Sequence, residues 1–157
     1  MGPSDTQLRY REPTLTEDRA LRQSAAQEYT RRLVEELYPV GVILFGSNAR
    51  STDRIGSDLD IVIVGGDLPA PISERLRKVA RLKWGIPFSI DAFPYTEAEF
   101  ERMLDNLHVT ALDCMYEGIP LHGKEYFERL RPKFEAYVAR GLRRGKSAWY
   151  FEKQKAE

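Results

Sequence analysis

Three aspartates and a Gly-Ser pair supply the residue types in this chain that can build a charged reaction site. Asp58 and Asp60 flank Leu59 at the mouth of one apolar run, and Asp91 interrupts another, Phe88-Ser89-Ile90-Asp91-Ala92-Phe93. Side chains two residues apart on a strand share a face, so Asp58 and Asp60 project together while Leu59 turns to the core. Paired carboxylates repel unless positive charge lies between them. An ionised side chain inside an apolar strand is costly when unpaired. Hard divalent cations meet both needs through oxygen ligands, and Mg²⁺ in particular combines a few carboxylates with the phosphates of a substrate. Asp58, Asp60 and Asp91 are therefore the candidate ligands of one metal site.

A phosphate-bearing ligand needs a holder of its own. Gly46-Ser47 closes the run Val42-Ile43-Leu44-Phe45, ten residues before Asp58. Gly46 lets a ligand come close to the backbone. Ser47 offers a hydroxyl at an expected helix start, where free N–H groups favour anions. Arg50, three residues after the serine, is either a triphosphate ligand or a solvated helix arginine. Ser57 is a nucleotide contact or, in the favoured reading, a loop cap.

These side chains must be positioned by an alternation of helices and strands. Leu21, Ala25, Tyr29, Leu33 and Leu37 recur at four-residue spacing and predict a helix over 17–37, closed by Pro39 and Gly41. A β-branched strand follows at 41–45, then a brief helix at 47–53 and a buried strand at 58–64 that Gly65-Gly66-Asp67 ends. A helix over 72–83 leads to a third strand, 88–93, stopped by Pro94. Thr96 with Glu99 three residues on is a capping-box signature. Further helices are expected near 106–116 and 126–140, with a short strand and turn around His122. The fold class is α/β or α+β on one short sheet with helices packed against it.

At 157 residues the chain fits one domain. It is expected to divide into a flexible N-terminal arm (1–16), the domain proper (17–140) and a basic, aromatic C-terminal tail (141–157). The 24 Lys and Arg balance the 24 Asp and Glu, so global charge selects neither for nor against nucleic acid. The single cysteine, Cys114, excludes an intramolecular disulfide and a cysteine zinc cluster; it reads as a small buried thiol. No run approaches the roughly 20 apolar residues that span a bilayer, and the polar N-terminus lacks a signal-peptide core. A cytoplasmic protein with no membrane segment is expected.

Gly46-Ser47, ten residues, Asp58-x-Asp60, and Asp91 in a later strand resemble the motif of the nucleotidyltransferase superfamily that includes DNA polymerase β. At this length the chain is most similar to the minimal nucleotidyltransferases. The resemblance covers about 42–93 and implies a mixed sheet with flanking helices. It implies transfer of a nucleoside monophosphate from an NTP, ATP above all, to a hydroxyl. Asp58 and Asp60 would bind two Mg²⁺ ions, or Mn²⁺ in their place, with Asp91 completing the site beside the acceptor hydroxyl. Gly46 and Ser47, with Arg50 and Ser57, would hold the nucleotide.

Relatives of this kind are often paired with HEPN proteins, which suggests a HEPN-type toxin as acceptor and an antitoxin role for this chain. The alternatives are a non-catalytic antitoxin or regulatory subunit, and a small-molecule (aminoglycoside-like) nucleotidyltransferase. Arg102 and His108 match the Arg-x-His spacing of HEPN ribonucleases by chance, since the chain is already committed to an α/β core. The tail carries Arg140, Arg143, Arg144 and Lys146 ahead of Trp149-Tyr150-Phe151. It is expected first to fold back or make a homo-oligomer contact, next to dock a protein partner, and last to stack on nucleic acid.

Overall fold

The computed structural model describes residues 11–50 and 52–153. Residues 1–10 of the expected arm and 154–157 of the expected tail lie outside the described residues, as does Ser51 within the expected 47–53 helix. Helix α1 (Leu15–Leu37) opens on Thr14, whose hydroxyl accepts a hydrogen bond from the Glu17 amide at 3.1 Å, and ends at Tyr38 in the left-handed region. Its inward stripe differs from the expected one. Asp18, Arg22, Ala25, Ala26, Tyr29, Thr30, Leu33 and Leu37 are buried, whereas Leu21 is 55% exposed. A four-residue step overruns one helical turn by about 40°. Traced back from Leu37, the stripe therefore drifts off Leu21 and onto Arg22.

Strand β1 (Gly41–Phe45) leads into the four-residue helix α2 (Ser47–Arg50), and β2 (Leu59–Val64) returns antiparallel to β1. Helix α3 (Ile72–Arg81) then crosses over to β3 (Ile90–Tyr95), which lies parallel to β2. The capping box forms at α4 (Glu97–Asp105), with Thr96 and Glu99 exchanging bonds. Next come α5 (Val109–Glu117), β4 (Ile119–His122), antiparallel to β1, and α6 (Lys124–Ala139). A hairpin of β5 (Leu142–Arg144) and β6 (Trp149–Phe151) follows. The main sheet is mixed, in the order β3-β2-β1-β4.

The third strand corrects an expectation. Pro94 does not stop it; β3 runs on to Tyr95, with Pro94 opposite Ile63. The Ser89 and Tyr95 carbonyls accept from amides at the ends of β2, so the odd-numbered residues of β3 face β2 and Pro94 faces away. The proline's missing N–H thus falls on the open side of an edge strand, where no ladder bond is lost.

Each strand divides its side chains between two apolar layers. Leu59, Ile61 and Ile63 of β2 pack with Val42 and Ile90 against α1 and Val79 of α3. Val62 and Val64 pack with Ile43 on the other face, against residues of α4, α5 and α6. This alternation fixes register, because a slip of one residue would turn Asp60 into the α1 layer. No helix among the described residues is long and apolar enough to cross a membrane.

Candidate functional site

The two-residue period of β2 carries Asp58 and Asp60 to the face opposite Leu59. Asp60 is opposite Asp91 of β3 on one side and Phe45 of β1 on the other. Asp58 immediately precedes the strand and is exposed, as is Asp91, while Asp60 is half-buried. The rings of Phe45 and Phe93 meet at 5.8 Å on the same face as Asp60. The acidic groups therefore stand at the rim of an apolar layer, where water is partly excluded.

Gly46 turns the chain out of β1 at φ +79°. A Cβ on this residue would fall on Asp60 Oδ2, so glycine is required twice, by its backbone angle and by the carboxylate packed against it. The Gly46 carbonyl accepts from the Ala49 and Arg50 amides at 3.1 Å, which winds Ser47 into α2 beside the carboxylates. Ser57 closes the following turn, its hydroxyl accepting from the Arg54 amide at 2.7 Å. Arg50 donates to Glu117 Oε1, at the end of α5, at 2.7 Å.

Burial pushes the Asp60 carboxyl up to about 6, helped by the charges of Asp91 and Asp58 and opposed by that of Arg50. Of the two expected acidic neighbours, Asp91 lies opposite Asp60 in the ladder and Asp58 two residues before it. Among the described residues no three Asp, Glu, His or Cys side chains are drawn together as a ready-made metal cage. The donors nonetheless fit a hard cation: they are all carboxylate oxygens, they crowd negative charge at a half-buried rim, and Gly46 keeps that rim clear of a side chain.

Behind this rim lies a cluster that the sequence reading passed over. Arg22, 1% exposed, donates to Asp18 Oδ2 at 2.7 Å, to Asp53 Oδ2 at 2.8 Å and to Asn48 Oδ1. Arg19 adds two bonds to Asp53 at 2.8 and 2.9 Å. Arg19, with Arg22, holds the Asp53 carboxyl down at about 2 against its burial. Asn48 then donates to the Asp58 carbonyl at 2.7 Å, and the Gly56 amide reaches Asp18 Oδ2 at 3.3 Å. The network ties α1 to the loop that carries Ser47 and Asp58. Its signal was present: Asp18 and Arg22 are four residues apart on the apolar stripe of α1, an arrangement that demands partners.

The C-terminal hairpin folds onto α5 and α6. Trp149 meets Tyr116 at 5.3 Å and Phe134 at 6.0 Å, both edge-on, and its Nε1 donates to Asp113 at 2.8 Å. Tyr150 and Phe151 remain exposed. His108 serves as the N-cap of α5, its Nδ1 accepting from the Thr110 amide at 3.2 Å. Cys114 is buried, as expected of a small buried thiol, and burial pushes its thiol up.

Residues 27–111, more than half of the chain, match the sequence model of a nucleotidyltransferase domain. Among solved structures, a toxin–antitoxin crystal structure with AMP-PNP is similar at 18% identity and TM-score 0.51, over 72% of this chain and 86% of that one. A putative nucleotidyltransferase from Sulfolobus solfataricus is similar at 20% identity and TM-score 0.51, over 71% and 89%. A mutant of the toxin–antitoxin MntA-HpeT is similar at 14% identity and TM-score 0.51, over 73% and 86%. No curated protein sequence matches. At these identities the structural likenesses establish the fold.

Proposed function

The chain belongs to the nucleotidyltransferase domain family, and from that premise we propose that it transfers a nucleoside monophosphate from an NTP to a hydroxyl acceptor. The observation that carries this reading is Asp60 set in register against Asp91, with Gly46 bared to its carboxylate. ATP is the proposed donor; AMP-PNP in a structural neighbour supports it. The proposed acceptor is a toxin partner, which the two toxin–antitoxin neighbours support, and its HEPN type follows from the family resemblance alone.

Asp58, Asp60 and Asp91 would hold Mg²⁺, which when bound neutralises charge on the phosphates and on the attacking and departing oxygens. The chain's own residues orient the nucleotide. Gly46 and Ser47 hold the β- and γ-phosphates at the start of α2, and Arg50 adds a guanidinium. In the reaction the acceptor oxygen bonds to the α-phosphorus, the bond from that phosphorus to the bridging oxygen breaks, and pyrophosphate leaves with the electron pair. Asp91 would help take the hydroxyl proton. Positioning and charge neutralisation do most of the work in this class of reaction.

Isothermal titration of each NTP into wild type and into Asp58→Asn/Asp60→Asn, with and without Mg²⁺, tests the reading. Metal-dependent binding to wild type alone is expected. Labelled NTP then identifies the acceptor in a mixture with the candidate partner. A folded wild type that binds no NTP would sink the proposal and leave an antitoxin acting by contact.

A further inference from the structure

Arg50, four residues after Gly46, is tied down from outside the nucleotide loop. Its NH1 donates to Glu117 Oε1 at 2.7 Å, and the Glu117 side chain is only 9% exposed. The same Glu117 oxygen lies 3.6 Å from the NH1 of Arg144, on β5 of the C-terminal hairpin. Arg144 is fixed in turn: NH1 donates to Asp113 Oδ1, and its guanidinium lies 5.7 Å from the centre of the Trp149 ring. An unbroken series of contacts therefore runs from the hairpin, through the last turn of α5, to the loop after Gly46.

From this series we infer that Glu117, braced by Arg144, is a positioning residue that aims Arg50 at the phosphates of the bound nucleotide. The inference rests on the nucleotidyltransferase reading given above. One guanidinium offers five N–H donors in a rigid fork. Glu117 engages NH1, so Nε and NH2 remain to serve a polyphosphate. The Arg50 amide donates to the Gly46 carbonyl at 3.1 Å, and Gly46 is packed against Asp60 Oδ2, so the arginine that Glu117 holds is rooted beside the rim. A half-exposed arginine on a four-residue helix would otherwise sample many rotamers, and ordering it on binding costs affinity. Glu117 removes that cost beforehand.

A buried carboxylate serving one partly exposed arginine would be poorly compensated, and Arg144 supplies the second positive charge. The hairpin thus belongs to the nucleotide apparatus through Glu117 rather than through a contact with Asp58, Asp60 or Asp91. The ligand class is a metal-bound nucleoside triphosphate, and the contribution is to affinity for its β- and γ-phosphates.

The test is a thermodynamic cycle read by calorimetry, with each of the four Mg²⁺–NTPs titrated into full-length protein. Glu117→Ala is expected to weaken binding of the preferred NTP about tenfold, the scale of a hydrogen bond to a charged group. In an Arg50→Ala background the same change is expected to do nothing, because Glu117 acts only through Arg50. Arg144→Gln should weaken binding severalfold and also fall silent in that background, whereas Arg144→Lys restores most of the loss. Glu117→Gln keeps the shape and one acceptor and should lie between wild type and Glu117→Ala, which separates aiming from a packing defect.

Equal losses from Glu117→Ala with and without Arg50 would overturn the inference while leaving the nucleotide site intact. Unchanged or tighter binding by Glu117→Ala would do the same, by showing that Glu117 is idle or competes with the phosphates for Arg50. Wild type that binds no NTP would overturn both this inference and the reading beneath it.

Discussion

Two acidic clusters meet at the start of β2 on opposite faces of the sheet, joined by Asn48, which accepts from Arg22 and donates to the Asp58 carbonyl. On the α1 side, Asp18 and Asp53 are buried and paired with guanidinium donors, and Asp53 is held down at about 2. On the other side, Asp60 faces two further carboxylates across the strand end and is pushed up to about 6. The same residue type is compensated in one place and left wanting positive charge in the other. A protein completes the charges that hold its fold and leaves open those that a ligand is to complete.

The contrast is sharpened by removing charge from each cluster. Asp60→Asn should cut nucleotidyl transfer about a thousandfold or more, on the scale of losing a principal electrostatic stabiliser. Its melting temperature should hold or rise, since one of three repelling carboxylates is gone. A variant that lost activity only by unfolding would erase the distinction between the clusters.

Arg22→Met should do the reverse. It strands Asp18 and Asp53 without their shared partner and is expected to cost about 3–5 kcal/mol of stability, measured by urea denaturation. A stable Arg22→Met protein would show that the inner cluster is not the structural one.

Ligand addition tests the open cluster from outside. Mg²⁺ with a saturating NTP, at 100 times its dissociation constant, should stabilise the native state by about 2.7 kcal/mol. The effect should vanish with EDTA and in Asp58→Asn/Asp60→Asn. Thermal denaturation with and without chelator measures it.

The smallest effect is the acid limb. Because Arg19, with Arg22, holds Asp53 below its ordinary value, the stability Asp53 contributes is complete above that value and is lost as pH falls towards about 2. Urea midpoints between pH 5 and pH 2 should fall more steeply for wild type than for Asp53→Asn. Parallel curves would remove the charge pair from the account.

Much of this architecture is written in local pattern. β1 is found at its expected bounds, and the Thr96–Glu99 box lies within five residues of sequence. Asp58 and Asp60 announce themselves because strand period and charge repulsion are both local, and Asp91 because a charge in an apolar run is conspicuous. What escaped depends on distance in the chain. Arg22 is tolerable only because Asp53 arrives from 31 residues away, and Pro94 fits only because β3 is the edge strand. Glu117 and Arg144 look like ordinary surface charges until the hairpin folds across α5.

The position of β3 has one further consequence. An outermost strand is a template on which a second chain can lay itself, and this one points the backbone of Ile90, Ala92 and Pro94 outward, with the Ile90 carbonyl already accepting from Lys83 Nζ at 2.7 Å and Pro94 buried. Pro94 has no hydrogen to offer an incoming strand, and Asp91 places a charge among the neighbouring side chains; both deter edge-to-edge stacking. A change such as Asp91→Val would therefore remove a charge from an edge strand together with the carboxylate proposed for the chemistry.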